Sequence, residues 1–194
     1  VLEDRVALIG SLRPLAEVQV MSKIAGRIEK ITVDVGDPVR RGELIAQVED
    51  REILQQIQQA EASISVARAS IQQREAELAN YTRQVRRYRD LHEQYLISRQ
   101  DLDEVVTRQQ TSEAQLELSK AQLRQSEANL AQDKINLENT RSYAPMDGLV
   151  GKRFLHPGAL VSANTPIVNL VDLRTLRMIV NMVERDIVRV GRGA

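Results

Sequence analysis

The chain has 194 residues with 27 basic and 27 acidic side chains, and a formal net charge of zero gives no electrostatic footprint for a nucleic-acid partner. It contains no cysteine, which excludes disulfides, thiolate metal sites and cysteine nucleophiles. Aromatic residues make up 3%, with one Phe and no Trp, a content suited to a chain that leaves much of its surface exposed.

In chain order, Val1 to Leu15 alternates partly through Val6, Leu8 and Leu12 and predicts a strand closed by a turn at Pro14. Glu17 to Glu49 predicts short β segments punctuated by Gly26, Gly36-Asp37-Pro38 and Gly42. Arg51 to Ser142 contains neither Gly nor Pro, so nothing forces the backbone out of a helix. Tyr143 to Asp172 returns to short strands broken by Pro145, Gly148, Gly151, Pro157, Gly158 and Pro166. Leu173 to Ala194 predicts a strand from Leu176 to Val183 and a helical turn from Glu184 to Val190. No apolar run approaches the roughly 18 residues of a membrane span, and Val1 does not begin a signal-peptide pattern.

A single helix over the central stretch would reach about 135 Å, with an apolar seam that a chain this small cannot cover. It must fold back. Ile57, Ile64, Ile71, Leu78 and Val85 recur every seventh residue, with Ala60, Ala67, Arg74, Tyr81 and Tyr88 three places later, which is heptad a/d spacing. Leu102, Gln109, Leu116, Leu123, Leu130 and Leu137 continue the period, followed by small companions such as Val105, Ser112, Ser119 and Ser126. Pairing Ile57 with Leu137, Ile64 with Leu130, Ile71 with Leu123 and Leu78 with Leu116 makes the residue numbers of each pair sum to 194. Val85 with Gln109 and His92 with Leu102 obey the same rule. That symmetry predicts an antiparallel hairpin over 51–142, about 65 Å long, turning near 96–98, with Ser98 as N-cap and Asp101 as its capping-box partner. Tyr81, Tyr88 and Tyr95 share one heptad position and are expected to widen the seam toward the tip.

The β-rich flanks are copies of one another at an offset of 122 residues, as from Gly26 to Gly148. Ile28 aligns with Val150, Gly36 with Gly158, Val39 with Val161, Ile45 with Ile167, Val48 with Leu170 and Asp50 with Asp172. Gly42 falls on Asn164, the residue that best replaces glycine where φ is positive. Neither copy buries an apolar face alone, so the two form one sandwich, split in sequence by the hairpin.

The half-repeat from Gly26 through Gly36-Asp-Pro-Val and Gly42-Glu-Leu-Ile resembles a lipoyl or biotinyl half-motif, and Ala144-Pro-Met-Asp-Gly148 through Gly158-Ala-Leu-Val-Ser resembles its partner. A split lipoyl domain carrying a helical hairpin is similar to the HlyD-like periplasmic adaptors, or membrane fusion proteins, of Gram-negative tripartite efflux pumps. The resemblance implies an α+β fold: a long antiparallel α-helical coiled-coil hairpin (51–142) inserted into lipoyl-like sandwich halves (17–50 and 143–172). It implies part of a β-barrel domain in 1–16 and 173–194, within a longer natural protein. It further implies a periplasmic location, an inner-membrane anchor outside this chain, and assembly into a ring, commonly of six copies. The implied partners are an inner-membrane transporter, RND-type first and ABC-type as the alternative, and a TolC-like outer-membrane channel. Arg87, Leu91 and Ser98 match, by their spacing, the tip motif with which efflux adaptors engage the channel.

Other functions fit these residues less well. A lipoyl or biotin carrier needs a lysine at the turn between the halves, but no lysine occurs between Asp50 and Lys120, and Lys30 and Lys152 occupy equivalent strand positions expected at the sandwich surface. A structural coiled-coil scaffold does not account for the matched hairpin layers. His92 and His156 lack ligand spacing, and Met21, Met146, Met178 and Met182 are expected to fill β core, so no metal and no cofactor is expected. No catalytic constellation stands out, and the chain is not expected to be an enzyme. The cluster Arg83, Arg86, Arg87 and Arg89 reads as a solvated face or as guidance toward an acidic channel rim. Ala114, Ala121 and Ala128 face away from the seam, where they either simply favour helix or offer a smooth second face to neighbouring copies.

Overall fold

The structure, a computed structural model, describes residues 10–180. They fall into two compact units: one built from the segments up to Glu49 and from Asn139 onward, the other from Asp50–Glu138.

The β unit contains β1 (Gly10–Met21), β2 (Gly26–Ile31), β3 (Pro38–Val39), β4 (Leu44–Val48), β5 (Arg141–Tyr143), β6 (Gly148–Arg153), β7 (Leu160–Val161) and β8 (Pro166–Val180). They form two four-stranded sheets, ordered β1-β8-β6-β3 and β5-β4-β2-β7. Each sequence copy lends its short strand to the other copy's sheet: β3 pairs with β6, and β7 pairs with β2. This exchange is why neither half can stand alone.

The two-fold relation holds bond by bond. Gly36 N–H donates to Val150 O at 2.8 Å, and Gly158 N–H donates to Ile28 O at 2.8 Å. Gly42 N–H reaches Ala144 O at 2.8 Å, while Asn164 N–H reaches Ser22 O at 2.7 Å. The same bulge interrupts β2 between Ile28 and Lys30 and β6 between Val150 and Lys152. Asn164 adopts φ 65°, matching the 85° of Gly42, so the substitution read from the sequence meets the backbone conformation that motivated it. The repeat also reaches one strand further back than the glycine pattern reveals: β5 sets Ser142 opposite Ala46 as β1 sets Val20 opposite Val168.

Ile45, Ile167, Val168 and Leu170 are fully enclosed and join Val20, Val39 and Val150 in a core drawn from both sheets. A smaller cluster of Ile28, Val48 and Val161 closes one part of the sandwich. Lys30 and Lys152 are exposed, with Lys152 Nζ 5.0 Å from the centre of the Phe154 ring. Of the methionines expected in core, Met146 packs against it, but Met21 and Met178 are exposed and Met182 lies outside the described residues.

The copies diverge where the first enters a helix. After Val48 the chain passes into α1 (Arg51–Glu93), whereas after the equivalent Leu170 it continues straight in β8. At that point the Arg174 side chain, with its backbone N–H, hydrogen-bonds the Asp172 carboxylate and holds its pKa at about 2.

Two sequence expectations change. Pro14 does not end a strand: β1 runs through it, because β1 lies at a sheet edge and a register shift between Pro14 and Ala16 accommodates the missing N–H. The strand expected to start at Leu176 is the far part of β8, which begins at Pro166. β1 spans 16/17 and β8 spans 172/173, so each strand continues from one expected domain portion into the other. The residues expected to alternate before Gly10 and the helical turn expected at Glu184–Val190 lie outside the described residues.

The helical unit consists of α1 and α2 (Arg99–Asn139), of 43 and 41 residues. At 1.5 Å per residue each spans roughly 60–65 Å. Every a and d position from Ile57 to Tyr88 is buried or half-buried, as is every one from Leu102 to Leu137. Among them Ile57, Ile64, Ala67, Val85, Val105, Ser112 and Leu116 are buried. Polar groups cross the seam in the antiparallel register. Gln109 Nε2 donates to Thr82 Oγ1 at 3.3 Å, Arg74 Nη1 donates to Gln115 Oε1 at 3.2 Å, and Arg68 lies 3.6 Å from Glu127.

Nothing lies within 4 Å of a Cβ added at Gly42, so its φ of +85° alone sets the cost of a substitution there. Gly42→Ala is expected to lower stability by about 1 kcal/mol in denaturant titration, whereas Asn164→Gly at the equivalent position should cost nothing or stabilise slightly.

Candidate functional site at the hairpin tip

The turn between the helices is built from two capping motifs set back to back. At the end of α1, Tyr95 N–H donates to His92 O at 2.9 Å and Leu96 N–H donates to Leu91 O at 3.0 Å. These are the two bonds of a Schellman cap, which requires a left-handed residue between them. That residue is Tyr95, with φ 60°. At the start of α2, Ser98 Oγ donates to Asp101 Oδ2 at 2.6 Å and accepts from Asp101 N–H at 3.2 Å, while Ser98 N–H donates to Asp101 Oδ2 at 3.1 Å. This is the capping box read from the sequence. The Ser98 side-chain hydrogen bond, helped by its backbone N–H, lowers the Asp101 pKa below the usual carboxylate value. His92 Nδ1 lies 3.3 Å from Ile97 O and ties the turn to the last helical residues.

Leu91 and Ser98 are thereby held in one turn, and Arg87 lies four residues before Leu91 on the same side of α1. Leu91 is 36% exposed. Arg87 is exposed and makes no hydrogen bond or ion pair among the described residues, nor do Arg83, Arg86 and Arg89. The Ser98 hydroxyl is committed to Asp101 as donor, leaving it free capacity only as an acceptor.

Two tip residues are not visible in the sequence pattern. Tyr95 is 95% exposed and Leu96 is 65% exposed. The heptad places Tyr95 on the seam with the half-buried Tyr81 and Tyr88, but α1 ends at Glu93 and the left-handed turn removes Tyr95 from that phase. A Schellman cap normally announces itself by glycine; Gln94-Tyr95 gives no such signal. An L-residue in this conformation costs roughly 1–2 kcal/mol.

Elsewhere in the hairpin, a groove of about 520 Å³ is lined by small residues including Ser63, Ala67, Ser70, Ser119 and Ser126, with Val66 exposed beside it. Ala114, Ala121 and Ala128 are exposed. No group of three or more potential metal ligands occurs among the described residues, and His92 and His156 belong to separate units. No helix among the described residues is long and apolar enough to cross a membrane.

The two-fold β unit, its halves interlocked by exchanged strands, is a barrel-sandwich hybrid, and a capped helical hairpin is inserted between the halves in sequence. The model of the CzcB-like barrel-sandwich hybrid domain matches residues 16–172, and the chain belongs to that family of membrane fusion proteins. Macrolide export protein MacA of Yersinia pestis is 33% identical over 99% of this chain and 53% of its own length. The pyoverdine export membrane fusion protein PvdR of Pseudomonas aeruginosa is 31% identical over 99% of this chain and 50% of its own length. The chain thus spans about half the length of these relatives. The crystal structure of MacA from Actinobacillus actinomycetemcomitans superposes with a TM-score of 0.85 at 22% identity, covering 94% of this chain and 57% of that one, which shows the shared fold.

Ser98→Ala should remove the α2 cap and cost about 1 kcal/mol in thermal or chemical denaturation. Because the folded Asp101 pKa is depressed, the contribution of its capping bond is present above the ordinary carboxylate pKa and is lost as pH falls through the lowered value. Comparing acid titrations of the parent protein and Ser98→Ala should therefore show the variant losing this acid-dependent part of its stability.

Proposed function

We propose that this chain is the hairpin and sandwich portion of a periplasmic adaptor that links an inner-membrane efflux transporter to an outer-membrane channel, with the hairpin tip docking on the channel. The observation that carries this reading is the tip: Leu91, Tyr95 and Leu96 are exposed beside unpaired arginines at the closed end of a well-packed hairpin. Such a surface is assembled by two caps and used by neither helix. Membership of a membrane fusion protein family supports the connective role, as do relatives named for macrolide and pyoverdine export.

In this reading Leu91 is an apolar knob, Arg87 a forked donor to carbonyls or carboxylates, and Ser98 chiefly the cap that fixes the turn. The role is mechanical, with no bound cofactor, and the energy comes from the transporter, of RND or ABC type. The small-residue groove and the exposed alanines support side-by-side packing of hairpins in a ring, commonly of six copies in adaptors of this kind. The far ends of β1 and β8 form a two-stranded ribbon with Leu12, Leu15, Leu176 and Met178 exposed, which supports their assignment to an adjoining β-barrel domain. The location that follows is the periplasm, with anchoring to the inner membrane by another part of the protein.

Leu91→Asp and Ser98→Arg should each abolish export in cells while leaving the helical circular dichroism essentially unchanged. Full export by both variants would remove the docking assignment.

A further inference from the structure

We propose that Tyr95 is the anchor of the docking surface, its ring entering an apolar recess on the outer-membrane channel; this rests on the docking reading above. The argument begins with the cap. The hairpin needs a left-handed residue at this position, because both Schellman bonds depend on it. Glycine would meet that need without steric cost, and asparagine would meet it at reduced cost. The chain instead carries its bulkiest tip side chain there, with φ 60° and 95% of its surface exposed. The ring packs on nothing that would repay the strain within the hairpin. Backbone strain held at an exposed aromatic motivates the assignment of a contact made outside the molecule.

The geometry also shows why this position suits an anchor. A residue at the left-handed position of a cap projects beyond the last helical turn, and its backbone is fixed by the bonds on either side, so little main-chain freedom is lost on binding. Leu96, the next residue, is 65% exposed, and its N–H is bonded to the carbonyl of Leu91, so the three apolar side chains belong to one rigid turn. In the last three turns of α1, Arg83, Arg86, Arg87 and Arg89 are exposed and without ion-pair partners among the described residues, and Arg87 lies on the side of Leu91. The complementary partner surface is an apolar socket rimmed by carboxylates or by the free carbonyls that helix C-termini present. Tyr95 thus adds a ring to the set Arg87, Leu91 and Ser98, and it accounts for a strained residue that the cap itself does not call for.

The test uses the intact protein in cells with Gln94→Cys as the only cysteine, a thiol-reactive crosslinker, and capture of a TolC-like outer-membrane channel identified by mass spectrometry. Tyr95→Gly and Tyr95→Asn keep the left-handed turn and remove the ring; each should lower capture by about tenfold or more, the threshold for an anchor. The melting temperature of both should be equal to or above that of the parent. Tyr95→Phe should keep capture within about threefold, since the ring and not the hydroxyl enters the recess. Parent-level capture by the Gly and Asn variants, with capture lost in Leu91→Asp, would overturn the anchor and leave the docking reading standing. Parent-level capture in all of them would remove the docking reading itself. A clear fall in melting temperature for Tyr95→Gly would overturn the proposal by showing that the ring serves the hairpin.

Discussion

Everything in the β unit depends on the exchange of short strands between its two halves. β3 and β7 are each two residues long, and each completes the sheet of the opposite copy. Val39 and Val161 are carried by these strands into cores they would not otherwise reach. Because the halves interlock, their free ends are fixed too. β4 pairs with β5, and Val48 N–H donates to Thr140 O at 2.9 Å, so the chain leaving for α1 and the chain returning from α2 are bonded side by side. A hairpin that starts and ends at adjacent strands has its antiparallel sense set at the base. The seam then sets its register.

The tip is organised by a different constraint. Two helices of about forty residues can be joined by a handful of residues only if both ends are capped within the turn itself. The Schellman bonds and the capping box do this with Leu91 through Asp101. The residues that carry the proposed docking surface are therefore the same ones that close the hairpin, and their side chains are left outward because their backbones are fully used. At Leu91, Tyr95 and Leu96 the main chain closes the turn and the side chain is left outward, whereas at Ser98 the side chain itself is part of the cap.

Much of this was legible in the sequence because two kinds of period are strict here. The heptads map onto burial without a slip from Ile57 to Tyr88 and from Leu102 to Leu137, and the offset of 122 recovers strand, bulge and turn, including the left-handed Asn164. What escaped has a physical reason in each case. Pro14 signals a break, yet an edge strand has a ladder position that needs no N–H. The heptad at Tyr95 outruns the helix by two residues, since periodicity carries no information on where a helix stops when its cap lacks glycine. β5 is three residues long and its equivalence to the end of β1 rests on backbone pairing, not on glycines. The tip trio was read by resemblance; the structure adds that Ser98 is committed to Asp101 and that Tyr95 and Leu96 are the most exposed apolar groups of the turn.

The central claim is that the tip, and no other part of the hairpin, meets an outer-membrane channel. Its most direct test is in-cell crosslinking from single cysteines at positions 91 and 98, compared with cysteines at the exposed mid-hairpin positions Val66 and Leu118. The account predicts capture of an outer-membrane channel from 91 and 98 and none from Val66 or Leu118. Capture of the channel from Val66 or Leu118, or of no outer-membrane protein from the tip, would contradict it.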